Sequence, residues 1–524
     1  MSVRPPDVLE RAFGAPPAGP ALEAVLARRR RRDRRQRIVA ALVALGLTLA
    51  GVALLVHAYR SAQVVPSGPI TPKSVSGLKL AWWGEVNSSI HANPVIADGR
   101  VFVTTQDGRV VAFDEACEAT QGPCPPVWGA RISDPNIAGN HNPWGAPVAV
   151  GGRIYVGSQD GRLLGYPTDC VGGCAPTWVG QTSGSLAEAS IAQAEGILYV
   201  NSMSGTVYGF PEACDSYPTP CQPLWTYQMS GGTNGGGPVV VGDTVYAGTV
   251  AGHVYAFPTS CAQTGPTCEP LWDTETGGPI GTDLASDGRS VFVPVGHQVE
   301  AFPTDCGSTC APNWIGPTTG HVSPSQPGYV QDAISSMAVF PGGLVVGNGA
   351  ATIQVFPTDC GTGGHICQPI ATLKGNDTFS DPSVANGVLF VGFGQGVQAY
   401  DLACLEHGGS AQTCPALWTS VPGGAVTADP QERDNSLYNV DESGRVYRNS
   451  LTGEAEQPPP PPADVDTVQP VHTPPSSALP SVVVVVLLVM GGAWWLGRRR
   501  ARASDADEAD DIHEWEDLGP AGTD

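Results

Sequence analysis

The chain is 524 residues long, room for several domains at roughly 150 residues each, and its formal net charge is −22. The charge is unevenly placed: residues 1–37 carry ten arginines against four acids, residues 498–524 carry four arginines against nine acids, and the body between them is strongly acidic. Such a body is excluded as a direct binder of nucleic acid or of anionic surfaces, and favours solubility or a cationic partner.

Residues 1–27 are rich in proline and alanine and read as mostly disordered, with a short helix open to residues 21–26. Eight arginines follow within residues 28–37. A basic run can bind nucleic acid, but this one abuts an apolar stretch, which makes it a topology signal. Residues 38–56 are 19 positions without a charge, the length that crosses a bilayer. A cleaved signal peptide competes with this reading. The long leader, and the lack of a clear small-residue cleavage site in His57-Ala58-Tyr59-Arg60, favour an uncleaved helix over 38–57 behind a cytoplasmic leader, 1–37. A polar linker, 58–77, contains Pro66, Pro69 and Pro72.

From residue 78 to 455 the chain repeats itself. Cys117, Cys170, Cys214, Cys261, Cys306, Cys360 and Cys404 recur at 44 to 54 residues, the period of a solenoid or propeller. Each unit carries strand-like alternation, as in Arg153-Ile154-Tyr155-Val156-Gly157 and Val388-Leu389-Phe390-Val391-Gly392. Hairpin turns stand between the strands, at Gly151-Gly152, Asp287-Gly288, Gly342-Gly343 and Asn386-Gly387 at one end and at Asp160-Gly161, Ser204-Gly205 and Ala251-Gly252 at the other. The units are therefore four-stranded antiparallel blades. Eight copies of the first three strands occur. A tryptophan marks the outer strand at Trp128, Trp178, Trp225, Trp272, Trp314 and Trp418, with Ala371 in its place once. The last copy has no outer strand after Leu451, and Leu78-Lys79-Leu80-Ala81-Trp82-Trp83 has no blade before it. The expectation is an all-β, eight-bladed propeller closed by its N-terminal strand.

The fourteen cysteines fall into seven close pairs: Cys117 with Cys124, Cys170 with Cys174, Cys214 with Cys221, Cys261 with Cys268, Cys306 with Cys310, Cys360 with Cys367, and Cys404 with Cys414. One pair per blade at an equivalent turn reads as seven local disulfides in an oxidising compartment, pinning the turn into the Trp strand. A metal alternative is weak, because no pair has histidine at ligand spacing.

Residues 456–477 are dominated by proline, including the run Pro458 to Pro462. Such a segment extends at about 3.1 Å per residue as a semi-rigid spacer. Residues 478–497, with Val482 to Val486 and the pair Trp494-Trp495, read as a second transmembrane helix, followed by Arg498, Arg499, Arg500 and Arg502. Arginines thus flank both spans on the outer side of the chain. Both termini are expected in the cytoplasm and the propeller outside it, integral to the plasma membrane. The tail, 498–524, is acidic around Trp515 and reads as a solubilising segment or a short docking motif.

The repeat resembles the PQQ-type (pyrroloquinoline-quinone-type) β-propeller repeat, through Ala112-Phe113-Asp114, Ala399-Tyr400-Asp401 and Thr452-Gly453. It departs from that family's turn where Phe302 to Cys306 and Phe356 to Cys360 replace Thr-Gly. The resemblance implies the fold over residues 78–455. It also implies two kinds of relative, quinoprotein dehydrogenases and propeller lipoproteins that assist outer-membrane protein assembly. The dehydrogenases stack a quinone on a disulfide between adjacent cysteines and hold calcium with carboxylates and amides. No adjacent pair of cysteines exists here, and no nucleophile elbow, zinc-protease helix or phosphate loop appears.

Binding on a rigid ring usually resides in its longer loops. Those joining an outer strand to the next inner strand share a face and vary most. They supply the candidate residues: His91 and Asn93; Asn140, His141, Asn142 and Trp144; Asn234; and His321, Gln331 and Asp332. The plain alternative is that these are solvated loops. The expected function is a membrane-anchored, non-catalytic protein- or ligand-binding scaffold with an envelope or membrane protein as partner, no nucleic acid and no cofactor. The alternative is a membrane-anchored quinoprotein oxidoreductase using PQQ and calcium.

Overall fold

A computed structural model describes residues 68–118, 122–132, 145–214, 217–234, 236–318, 334–348, 352–374, 382–393, 396–408, 410, 413–420, 423–426 and 428–453. The leader, both apolar runs, the proline-rich spacer and the tail lie outside these residues. No helix among the described residues is long and apolar enough to cross a membrane.

The described strands form eight sheets, each a blade whose strands are lettered a to d from the axis outward. Blade 1 has Val95–Ala97, Arg100–Thr105, Arg109–Asp114 and Pro126–Arg131. Blades 2 to 7 span 148–181, 191–228, 239–275, 285–317, 334–374 and 382–419. Blade 8 has three strands within 431–450 and takes Lys79–Glu85 as its strand d. Strand Lys79–Glu85 pairs antiparallel with Arg445–Ser450, Lys79 opposite Ser450 and Glu85 opposite Arg445. The first strand of the ring thus completes the last blade, as expected.

Strands b and c are buried along nearly their whole length, because each blade is sandwiched between two others; Ser290–Val295 is buried at all six positions. The alternation expected of these strands is thereby corrected: buried on both faces, they are short continuous apolar runs. Strands a are half-buried, as in Val95–Ala97, Val148–Val150 and Val239–Val241, since they line the bore of the ring. The a–b hairpins turn through left-handed pairs such as Asp98 (φ 49°) and Gly99 (φ 73°), or Asn386 (φ 50°) and Gly387 (φ 79°), matching the primed turns that twisted hairpins need.

Among the described residues eight apolar clusters stand one at each blade junction, and a small ninth, Leu80, Trp83 and Tyr447, lies within blade 8. At most junctions the strand d tryptophan packs on an aromatic of the following blade: Trp82 on Phe113, Trp128 on Tyr166, Trp178 on Phe210, Trp225 on Phe257, Trp272 on Phe302 and Trp314 on Phe356. Where Ala371 replaces tryptophan, Leu402 and Leu405 of the short helix Leu402–Glu406 enter the same cluster. The indole N–H of Trp82, Trp178, Trp314 and Trp418 donates to the carbonyls of Glu115, Pro211, Thr358 and Leu78. Each of these bonds crosses a junction.

All seven expected disulfides form, and no cysteine among the described residues is free. Cys117 is bonded to Cys124, Cys170 to Cys174, Cys214 to Cys221 and Cys261 to Cys268. Cys306 is bonded to Cys310, Cys360 to Cys367 and Cys404 to Cys414. One expectation about them needs correction, because their role is broader than pinning a turn within one blade. The bridged loop reaches back and pairs in parallel with strand d of the preceding blade at six junctions: Gly84 with Cys124, Trp128 with Gly172, Gly180 with Cys221, Thr226 with Thr267, Trp314 with His365 and Thr372 with Ser410. At four of them the second cysteine donates its N–H to that strand: Cys124 to Trp83, Cys221 to Val179, Cys268 to Thr226 and Cys367 to Ile315. The second cysteines of the other three bridges, Cys174, Cys310 and Cys414, do not; Cys414 donates instead to the Ser410 carbonyl of its own loop. The reason is spacing, since these three bridges span 4, 4 and 10 residues rather than 7 and set the second cysteine out of register with the neighbouring strand. Where the loops do pair, they blunt edges that would otherwise expose unpaired backbone.

Candidate functional site at the mouth of the bore

The ring has two faces. On one, the b–c turns of blades 1, 3 and 4 rest on the loops that enter those blades: Gln106 N–H donates to the Ser89 carbonyl, Met203 to Ser185 and Val250 to Gly232. This loop face is where the sequence places its candidates. The opposite face carries the a–b hairpins and the disulfide loops, which touch each other where the Thr168 hydroxyl donates to Asp98 at 2.6 Å.

Residues just before or at the start of several strands a meet at the axis on the loop face. Asp429, leading into blade 8, accepts from the Asn93 side-chain amide of blade 1 at 2.8 Å and from the Ser336 hydroxyl of blade 6 at 3.0 Å. Its backbone N–H returns a bond to Asn93 Oδ1 at 2.7 Å. Asp283, leading into blade 5, accepts from the Ser190 hydroxyl of blade 3 at 2.8 Å and from the Gly237 N–H of blade 4 at 2.6 Å. Bonds between blades that are not neighbours are possible only near the axis, so these groups reach across the mouth. The approach is close: a Cβ on Gly237 would stand 2.5 Å from Ser190 Cβ, and one on Gly145 would stand 2.2 Å from the Ala189 carbonyl oxygen. Glycine is needed at both places for steric room.

By accessible surface Asp283 is exposed and Asp429 half-buried, yet both carboxyls stand deep among protein atoms. Burial pushes the Asp429 carboxyl up to about 7, against hydrogen bonds from Ser336 and Asn93 that favour charge; the neighbouring Asp283 carboxylate adds to the rise. Burial likewise raises Asp283, opposed by its bonds from Gly237 and Ser190. The pair and its donors form a hydrogen-bonded closure with acidic character.

Of the ten candidate residues, the structure describes His91, Asn93 and Asn234; Asn140, His141, Asn142, Trp144, His321, Gln331 and Asp332 lie outside the described residues. His91 is half-buried, and burial holds its pKa below the ordinary value against the pull of Glu442. Asn234 is exposed. Asn93 does not reach outward for a ligand, because both ends of its amide are engaged by Asp429. Sequence reasoning missed Asp283, Asp429, Ser190 and Ser336. A signal was present: Asn93-Pro94, Asp283-Leu284 and Asp429-Pro430 hold equivalent places before strand a in their repeats. Among the described residues no group of three or more His, Cys, Asp or Glu is arranged to hold a metal ion.

The model of the family described as outer membrane protein assembly factor BamB matches residues 74–170 and 220–456, well over half of the chain. No curated relative matches the sequence. Among solved structures, the chain is similar to the quinohemoprotein alcohol dehydrogenase of Comamonas testosteroni, with TM-score 0.53, 14% identity, and 77% of this chain and 80% of that one covered. It is similar to Saccharomyces cerevisiae Sqt1, with TM-score 0.53, 11% identity and coverage of 70% and 98%. It also resembles the computationally designed Ika8 protein, with TM-score 0.51, 14% identity and coverage of 71% and 99%. At such identities these likenesses speak for the fold alone. The family match and the eight repeated blades together place the chain in the PQQ-like β-propeller repeat family, to which it belongs.

Proposed function

We propose that the protein is a membrane-anchored extracytoplasmic propeller acting as a non-catalytic scaffold for an envelope or membrane protein, with both termini in the cytoplasm. The observation that carries this reading is the state of the bore mouth, where Asn93, Ser190, Ser336 and the Gly237 N–H are engaged by Asp283 and Asp429 rather than aimed at a substrate. Seven disulfides support an oxidising, extracytoplasmic setting. The two apolar runs support the anchors, and the family's description as an assembly factor supports a protein partner.

The second reading, a quinoprotein oxidoreductase, rests on the family resemblance, and the residues present do not fit its cofactor. The quinone's platform is a disulfide between adjacent cysteines, whereas the bridges here join cysteines 4 to 10 residues apart. They sit in loops over the outer strands of the opposite face, away from the bore. Adding pyrroloquinoline quinone and calcium to the purified full-length protein separates the two readings. No stoichiometric binding is expected; a bound quinone with substrate-dependent dye reduction overturns the scaffold.

A further inference from the structure

We propose that the disulfide face is the membrane-facing side of the ring and docks a basic, partly apolar extracytoplasmic segment of an integral membrane protein. The inference rests on the membrane-anchored reading above. Its first support is where the chain enters and leaves the ring. Strand Lys79–Glu85 begins opposite Ser450, while its far end leads to Val86, which donates to Gly444 in a loop-face turn. Lys79 and Ser450 therefore both lie on the disulfide face. Two anchors that tether a ring by the same face turn that face to the bilayer.

The second support is charge. The seven disulfide loops, residues 114–125, 167–177, 211–224, 258–271, 303–313, 357–370 and 401–417, hold eleven acids and no lysine or arginine. Asp114, Glu118, Asp169, Glu269, Asp305, Asp359 and Glu406 are exposed. Three arginines of the adjoining strands are drawn onto loop atoms, Arg100 onto the carbonyls of Cys170 and Asp169, Arg153 onto Thr177 and Arg448 onto the Glu115 carbonyl, while Lys79 and Arg289 stand exposed on the same face. Anionic headgroups are repelled by such a rim, and a cationic segment is attracted.

The third support is exposed apolar surface. Seven large apolar side chains are exposed among the described residues, and five of them, Val171, Tyr217, Leu271, Ile366 and Ile370, lie in or at the exits of these loops. Val171 is 77% exposed in a loop held rigid by the bridge from Cys170 to Cys174 and by pairing to blade 1. Preordered apolar side chains on an acidic rim suit a protein segment that is both basic and apolar.

The test uses the full chain reconstituted in neutral-lipid vesicles. A short synthetic Lys/Leu peptide is titrated against the wild type, against a triple variant of the disulfide face (Asp169→Asn, Glu269→Gln, Asp359→Asn), and against a triple variant of the loop face (Asp107→Asn, Glu275→Gln, Glu442→Gln). The first set should weaken binding about fivefold, the product of three exposed pairs each contributing less than twofold, and the second should leave it unchanged. Equal losses, or none from the first set, overturn the docking face. Energy transfer from a fluorescent amino acid at position 171 to a lipid acceptor should exceed that from position 250; the reverse, or equality, overturns the orientation. Failure of the chain to float with the vesicles refutes the anchor itself and the orientation with it, while the peptide titration still decides the docking face.

Discussion

Removing the bridge from Cys360 to Cys367 tests whether the disulfides hold the latch between blades. In this loop Gly364 and His365 donate to the Asn313 carbonyl and Cys367 to the Ile315 carbonyl, all on the entry to or within strand d of blade 5. The bridge spans seven residues, and the chain-entropy relation assigns such a loop about 2.4 kcal/mol. In the double variant Cys360→Ser, Cys367→Ser the loop opens with that entropy restored, so protection of the 364–367 amides should fall by nearly two decades at about 1.36 kcal/mol per decade. The comparison is the double variant Cys306→Ser, Cys310→Ser, whose bridge spans four residues and is assigned about 1.9 kcal/mol. No pairing of that loop to blade 4 occurs among the described residues, so strand Trp272–Glu275 should exchange as in the wild type. Amide exchange read by mass spectrometry is the assay, since a ring of eight blades need not unfold in two states. Undiminished protection at 364–367 would refute the reasoning: the latch would then be held by its backbone pairing alone.

Asp429 has a folded pKa raised to about 7 by burial, above its unfolded value, so the folded state holds the extra proton and stability should decline as pH rises through that value. Asp429→Asn should flatten this decline, which thermal melts across the range would show; an unchanged slope would assign it elsewhere. Trp178 is fully buried, lies edge-on to Phe210 and donates to the Pro211 carbonyl, so Trp178→Ala should cost about 3–5 kcal/mol and loosen the junction of blades 2 and 3 first, as amide exchange at 206–211 would register. Gly237→Ala should push the chain away from Ser190 and lengthen the bond to Asp283, costing about 1–3 kcal/mol by overpacking; a melting temperature equal to wild type would mean that the bore mouth yields freely.

What the sequence disclosed follows the range of its signals. Blades, hairpins and disulfide pairs are set by residues a few positions apart, and the closing strand could be read by counting repeats. The destination of the disulfide loops could not, because their partner is the backbone of the preceding blade, and backbone pairing leaves no side-chain signature. The bore-mouth cluster was hidden for another reason. Ser336 and Asp429 meet because a ring brings blades 6 and 8 to a common axis; the repeated place of Asp429 before strand a marks the position, but nothing local names Ser336 as its partner. Asn93 shows the same limit from the other side: an asparagine in an exposed-looking loop belongs to the interior once the ring closes.

The closing strand also orders events in time. Lys79–Glu85 is made before any blade and pairs with Arg445–Ser450, made after all the others. Among the described residues blade 8 therefore has the longest-range strand pairing and carries the largest loop-closure entropy cost. Seven blades can stack and form their bridges while it waits, exposing the edge of Arg445–Ser450 until the first strand returns. A nascent ring at this stage has one open seam, and that seam is where a chaperone would act, or where two unfinished rings would exchange strands.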